Sequence, residues 1–195
     1  MKTLILASKN QHKALEIKAI LGSDYNVITQ TEAGAGDIDV IEDGNTFEEN
    51  AIKKAETILS ATGKPVIADD SGLCVDYLDG APGIYTARFA GENATDDENI
   101  DKLLSELNNV PLDKRTARFV CVIAFATPEG ETLTFRGECN GKIGFERQGE
   151  NGFGYDPIFI PDGYDCSIAE VSSAVKNSIS HRGNALKAFA SFLNS

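Results

Sequence analysis

Apolar positions along the chain follow two periods, and their alternation predicts an α/β fold. Residues 3–7 (T-L-I-L-A) form a short apolar run that reads as a buried strand and stops at Ser8-Lys9-Asn10. Ala14, Ile17 and Leu21 then recur at helical spacing, with Ile20 beside them and Asn10 suited to cap the helix. Phe47, Ala51, Ala55, Ile58 and Leu59 make a second helical stripe, opened by the capping-box pair Thr46 and Glu49. Residues 66–68 (V-I-A) read as another buried strand, which the turn formers Ser71-Gly72 are expected to break just beyond Asp69 and Asp70. A third helix carries Ile100, Leu103, Leu104 and Leu107 behind Thr95 and Glu98. Residues 117–126 form a long apolar run, and Pro128-Glu129-Gly130 turns it into 131–137, where Leu133 and Phe135 alternate with polar residues. Residues 139–147 are a candidate extension of that sheet, and Ala185, Leu186, Phe189 and Leu193 give a terminal helix with Ser180 as its cap. Hairpin signals among strand–helix units predict a mixed sheet with flanking helices. No repeat or linker interrupts the pattern, so residues 1–195 read as a single domain.

Composition narrows the partners. Hydrophobic content of 42% and charged content of 25% are those of an ordinary globular chain. No segment approaches the ~18 apolar residues of a membrane span. The N-terminal apolar run is too short for a secretory signal, so the expectation is a cytoplasmic protein without a membrane partner. A net charge of −12 argues against nucleic acid as the main partner but leaves room for a small anion held by a local basic cluster. Cys74, Cys121, Cys139 and Cys166 show no C-x-x-C spacing, and Cys74 and Cys121 read as small core residues. With only His12 and His181 present, a His-rich zinc site is disfavoured, and a metal would be a hard cation such as Mg²⁺ on carboxylates.

Several stretches carry candidate chemistry. A strand feeding Ser8–Lys13 and then a helix N-terminus is a ready anion site, to which Lys9 and Lys13 add charge; the plainer reading is an ordinary connection with exposed lysines. Residues 37–44 are an acidic loop, and Glu42 within it can join Asp69 or Asp70 around a metal. Asn50 and Lys54 share a helix face beside the apolar stripe, from which Lys54 can reach into a cleft. Asp69-Asp70-Ser71-Gly72 taken alone is a solvated turn. Residues 152–159 (G-F-G-Y-D-P-I-F) read as a shaped loop: Phe153 and Tyr155 offer faces to a planar ligand or belong to the core, and Asp156 can accept hydrogen bonds. His181 and Arg182 fall in the first turn of the last helix, an unfavourable place for cations unless an anion offsets them. Taken together, Lys9, Lys13, Lys54, Lys176 and Arg182 suit phosphates, Glu42, Asp69 and Asp70 suit a divalent cation, and Phe153 and Tyr155 suit a base. A nucleoside polyphosphate with Mg²⁺ satisfies all three groups, while hydrolysis, transfer and mere binding stay open.

The stretches S-K-N-Q-H-K (8–13), T-F-E-E-N-A-I-K-K-A (46–55), A-D-D-S-G-L (68–73), G-A-P-G-I-Y-T-A-R (80–88), F-G-Y-D-P-I-F (153–159) and S-H-R (180–182) together resemble the inosine triphosphate pyrophosphatase family, the XTP/dITP diphosphatases. The resemblance implies hydrolysis of ITP, dITP and XTP to the monophosphate and pyrophosphate, with Mg²⁺, in a homodimer. It implies an elongated, two-lobed α/β domain with a central nucleotide-binding cleft. By position it makes Ser8, Lys9, Asn10, Gln11, His12 and Lys13 the phosphate loop, Lys54 a phosphate contact and Asp70 the catalytic acid. It sets Ser71 beside the substrate, and Phe153, Gly154, Tyr155, Asp156, Lys176, His181 and Arg182 around the base. Glu42 and Asp70 become metal ligands, with Asp69 as an alternative. Ser8-Lys9 stands where Thr-Gly is frequent in that family, so Lys9 either adds a phosphate contact or is exposed. A pyrophosphatase for modified pyrimidines and a non-catalytic nucleotide sensor are the competing readings.

Overall fold

In the computed structural model, which describes residues 2–194, the two periods resolve into six strands and five α-helices. β1 (Lys2–Leu6) leads into α1 (Gln11–Leu21) and back through β2 (Tyr25–Thr29); α2 (Phe47–Thr62) precedes β3 (Val66–Val75). α3 (Asp96–Glu106) is followed by β4 (Thr116–Ala126), β5 (Leu133–Ile143) and β6 (Phe159–Pro161), and α4 (Ser173–Ile179) and α5 (His181–Leu193) close the chain. The sheet order is β2-β1-β3-β4-β5-β6. β1 pairs parallel with β2 (Leu4 opposite Val27) and with β3 (Leu6 opposite Ile67), whereas β5 and β6 are antiparallel, so the sheet is mixed as the hairpin signals predict.

The chain divides into two compact units. Met1–Asp70, Cys121–Gly137 and Arg182–Ser195 form the first, and Ser71–Val120 with Glu138–His181 the second. In the first, the helical stripe Ala14, Ile17 and Leu21 packs with Leu4, Leu6, Ile67, Ile123 and the α5 residues Leu186 and Phe189. Each such aliphatic or aromatic side chain contributes about 1.5–3 kcal/mol by leaving water, and this sum fixes α1 and α5 against the strands. In the second, Leu73, Val75, Ile100, Leu103, Phe119 and Phe159 make a separate core. No helix among the described residues is long and apolar enough to cross a membrane.

Asn10 caps α1 through its side-chain oxygen, which accepts from Lys13 N at 3.2 Å. Thr95 and Glu98 make the full reciprocal box at α3. At α2 the box is shifted: Thr46 Oγ1 accepts from Glu49 N, but Glu49 Oε2 reaches past Thr46 to Asn45 N at 2.6 Å. β2 escaped the sequence pattern because it is an edge strand whose only buried side chain is Val27. The larger correction concerns β3. Ser71-Gly72 does not break it, and the strand runs ten residues straight through Asp69, Asp70, Ser71 and Gly72. Turn propensity is a weak local bias, overridden here by apolar residues on both sides and by cations that meet each buried carboxylate.

Candidate active site

Side chains alternate along a strand, so the middle of β3 sends Asp69 and Asp70 to opposite faces. Asp69, 1% exposed, accepts from Arg182 Nε at 3.0 Å and from the Cys121 thiol at 3.0 Å on Oδ2, while Oδ1 lies 2.5 Å from Lys13 Nζ. Arg182 completes its fork on Glu16 of α1. Burial works against charge on Asp69, but Arg182 and Lys13 hold its carboxyl well below the usual range. Burial and then the Asp69 carboxylate push the Cys121 thiol well above its ordinary value, so it stays a donor.

Asp70 has the opposite environment. Its Oδ1 accepts from Lys54 Nζ at 2.8 Å, and the same ammonium donates to the Asp69 main-chain oxygen at 2.8 Å and lies 3.2 Å from Glu42 Oε2. Two carboxylates thus share one buried lysine. Burial raises Asp70 to about 6 even against Lys54 and Lys13. Glu42, also pushed up by burial, ends below its ordinary value because Lys54 and a hydrogen bond with Asp70 outweigh that cost. Burial disfavours the charge on Lys54, yet Asp70 and Glu42 more than offset it and raise its pKa.

The acidic loop is tied to this place by short contacts. Asn50 Oδ1 accepts from Gly44 N at 2.8 Å, so the helix face that carries Lys54 also clamps the loop that carries Glu42. A Cβ on Gly44 would lie 2.7 Å from that oxygen, which leaves glycine as the residue that fits. Lys9 Nζ bonds Asp39 at 2.6 Å and Lys53 Nζ bonds Asp43 at 2.5 Å. Lys9 is exposed, and its ion pair straps the loop 8–13 to the acidic loop. At the start of α1, Ser8 Oγ accepts from Asn10 N, Gln11 and His12 are exposed, and no acidic side chain occupies the first turn. An electropositive helix end with adjacent lysines is the arrangement that takes a phosphate.

In the second unit, Asp156 is buried and its Oδ2 accepts from Phe153 N at 2.9 Å and Lys176 Nζ at 2.7 Å. Lys176 also lies 4.9 Å from the centroid of the half-buried Phe153 ring. Gly154 N donates to Asp96 Oδ2 at 2.7 Å. Tyr155 belongs to the core rather than to an open stacking face: it is buried, and its hydroxyl donates to Thr86 O at 2.9 Å. His181 stacks on Phe119, with centroids 4.7 Å apart and an interplanar angle of 13°. Ser71 is half-buried in β3. Gly152 has φ +84°, and a Cβ there would collide with Asp156 Oδ2. Gly152→Ala is therefore expected to unseat Asp156 and to raise KM for the nucleotide that the family resemblance implies about tenfold, the scale of a lost charged hydrogen bond, measured by steady-state kinetics. An unchanged KM would show that this loop does not contact the substrate.

The structure brings Lys13, Glu42, Lys54, Asp69, Asp70 and Arg182 together in one unit and Phe153, Asp156 and Lys176 in the other. Sequence reading missed Glu16 and Cys121. Glu16 sits three residues after Lys13 and so shares its helix face, a signal that was available. Cys121 lies in an apolar run and gave none.

The mixed α/β sheet carries a lysine-bearing strand–helix loop and two buried acids, one neutralised and one left with a raised pKa, a set whose chemistry suits phosphate. The chain belongs to the Ham1 family, whose model matches residues 4–192. It is 48% identical over 195 residues to the dITP/XTP pyrophosphatase of Oceanobacillus iheyensis, covering 100% of this chain and 99% of that protein. It is 50% identical to the dITP/XTP pyrophosphatase of Bacillus licheniformis over 100% of this chain and 99% of that one. The solved Staphylococcus aureus Ham1 protein superposes with a TM-score of 0.89 at 49% identity, over 99% of this chain and 98% of that chain.

Proposed function

We propose that this chain is a nucleoside-triphosphate pyrophosphohydrolase that converts dITP, XTP and ITP to the monophosphate and pyrophosphate, keeping deaminated purines out of DNA and RNA. The observation that carries the reading is the Glu42–Lys54–Asp70 cluster, where burial leaves Asp70 ready to take a proton or a cation near neutral pH. Its relatives' activity agrees with that chemistry.

The donor set fits a hard divalent cation, for which Mg²⁺ is the choice. Glu42 and Asp70 are carboxylates that meet at one lysine, which leaves the ionised pair with a net negative charge. Among the described residues no cluster of three or more acidic, His or Cys side chains encloses a metal. That suits Mg²⁺, which takes one or two carboxylates and completes its shell with water and substrate phosphates. Glu42 and Asp70 would hold it, and when bound it would polarise the α-phosphate and lower the pKa of a water. Asp69, already engaged by Lys13, Arg182 and Cys121, is assigned instead to positioning.

In this mechanism Asp70 accepts the proton of the water that attacks the α-phosphorus in line. Lys54 orients Asp70 through its 2.8 Å hydrogen bond and carries positive charge beside the developing oxyanion. Lys13 and the main-chain N–H groups at the α1 N-terminus bind the β- and γ-phosphates, in the substrate and in the departing pyrophosphate alike. Phe153, Asp156, Lys176 and His181 are assigned to the base. A donor aimed at the 6-oxygen of hypoxanthine or xanthine rejects adenine, whose amino group leaves that donor unpaired. The family resemblance extends the reading to a homodimer in the cytoplasm.

Product analysis with ITP, dITP, XTP, GTP and dUTP tests it. IMP and pyrophosphate from ITP, abolished by EDTA and restored by Mg²⁺, is the expected result. Tight binding without turnover would make the chain a sensor, a preference for dUTP would move it to pyrimidines, and full activity in chelator would remove the metal.

A further inference from the structure

Cys121 is fully buried in β4, and its Sγ lies 3.0 Å from Asp69 Oδ2. An ionised carboxylate offers no proton, so the thiol is the donor. We propose that Cys121 is a positioning residue: its S–H sets the plane of the Asp69 carboxylate and thereby the place where Lys13 presents its ammonium to the substrate phosphates. The inference rests on the phosphohydrolase reading above.

Asp69 receives donors from three elements, Lys13 of α1, Arg182 of α5 and Cys121 of β4. Lys13 and Arg182 reach it along flexible side chains. Cys121 has a single rotatable side-chain bond to its sulfur and stands on a buried strand, so it is the stiffest of the three. Both Asp69 oxygens turn together about the same bond. A donor on Oδ2 therefore also fixes Oδ1, which holds Lys13 Nζ at 2.5 Å. The Asp69 main-chain oxygen in turn accepts from Lys54, so displacement at this residue is felt by both lysines. Sites of this kind lose function when their supporting contacts loosen by a fraction of an ångström. Lys13 grips phosphate in the ground and transition states alike, so the loss falls on KM rather than kcat.

A purely packing role and this positioning role predict opposite orders. Cys121→Ala removes the donor and volume; Cys121→Val removes the donor and adds volume; Cys121→Ser keeps a donor. Positioning predicts that Ala and Val both raise KM for ITP by about 3–10-fold with kcat within about twofold, while Ser stays within about twofold of wild type on both. Pyrophosphate affinity, measured by calorimetry, should weaken in the same order, and thermal unfolding should not track it. Packing predicts that Ser is the worst of the three, or that KM follows thermal stability. Equal KM values in all three variants, with wild type turning ITP over, overturn the role of Cys121 alone. Wild type that neither hydrolyses ITP nor binds pyrophosphate overturns the underlying reading as well.

Discussion

Asp70→Asn is expected to lower kcat for ITP by ~10²-fold or more while making the metal-free protein harder to unfold at pH 8. The two effects have one cause. Burial, against the pull of Lys54 and Lys13, raises the Asp70 carboxyl from an ordinary 3.8 to about 6 in the folded protein. The stability associated with its neutral form is full below pH 4 and is lost as pH rises through about 6. Above that, the ionised side chain costs the fold on the order of 1–3 kcal/mol, since each tenfold change in proton affinity is worth about 1.4 kcal/mol. Asparagine never ionises; its oxygen can accept from Lys54 and its amide can donate to Glu42, so the cost disappears with the base. Denaturant melts of both proteins in EDTA, beside ITP kinetics in Mg²⁺, check the pair of effects. Near-normal turnover would remove Asp70 from the chemistry, and a large loss of stability would show that its charge is better compensated than its burial implies.

Arg182→Ala should act first on stability. The guanidinium is 1% exposed and joins Asp69 to Glu16, and removing one partner from such a buried set costs about 3–5 kcal/mol by stranding the other. For a chain of this size that is a fall of roughly 10 °C in Tm. The pH dependence follows from sign. Asp69 has a depressed carboxyl, so its contribution is full above the unfolded value and is lost as pH falls through the folded one. Without Arg182, its leading favourable partner, that folded value rises, and acid unfolding begins at a higher pH. Calorimetry from pH 4 to 8 checks both. A Tm within two degrees of wild type, with altered ITP/GTP selectivity, would return Arg182 to the base-contacting role that the family resemblance implies.

How much of this was legible depends on whether the signal was local. α1 and α3 were readable because their apolar period and caps lie within a few residues of each other, as at Asn10 and the Thr95–Glu98 pair. β3 was misread at Ser71-Gly72 because what straightens it is tertiary: the lysines and arginine that allow two carboxylates to be buried come from α1, α2 and α5. The opposite roles of Asp69 and Asp70 were foreseeable from strand alternation alone. Their partners were not: a cysteine in an apolar run gives no hint that it will face a carboxylate 52 residues away. Lys9 was visible as a departure, but its pairing with Asp39 joins residues 30 apart and needed coordinates.

That pairing has a mechanical consequence. The loop bearing Glu42 is fastened partly by Lys9–Asp39 and Lys53–Asp43, whose side chains are all more than 40% exposed, whereas Asp70 is fastened by a buried strand. Solvated ion pairs fade as salt shortens the Debye length, and buried ones do not. The site therefore has one acid on a rigid mount and one on a spring, and ionic strength is the setting that changes the stiffness of the spring alone.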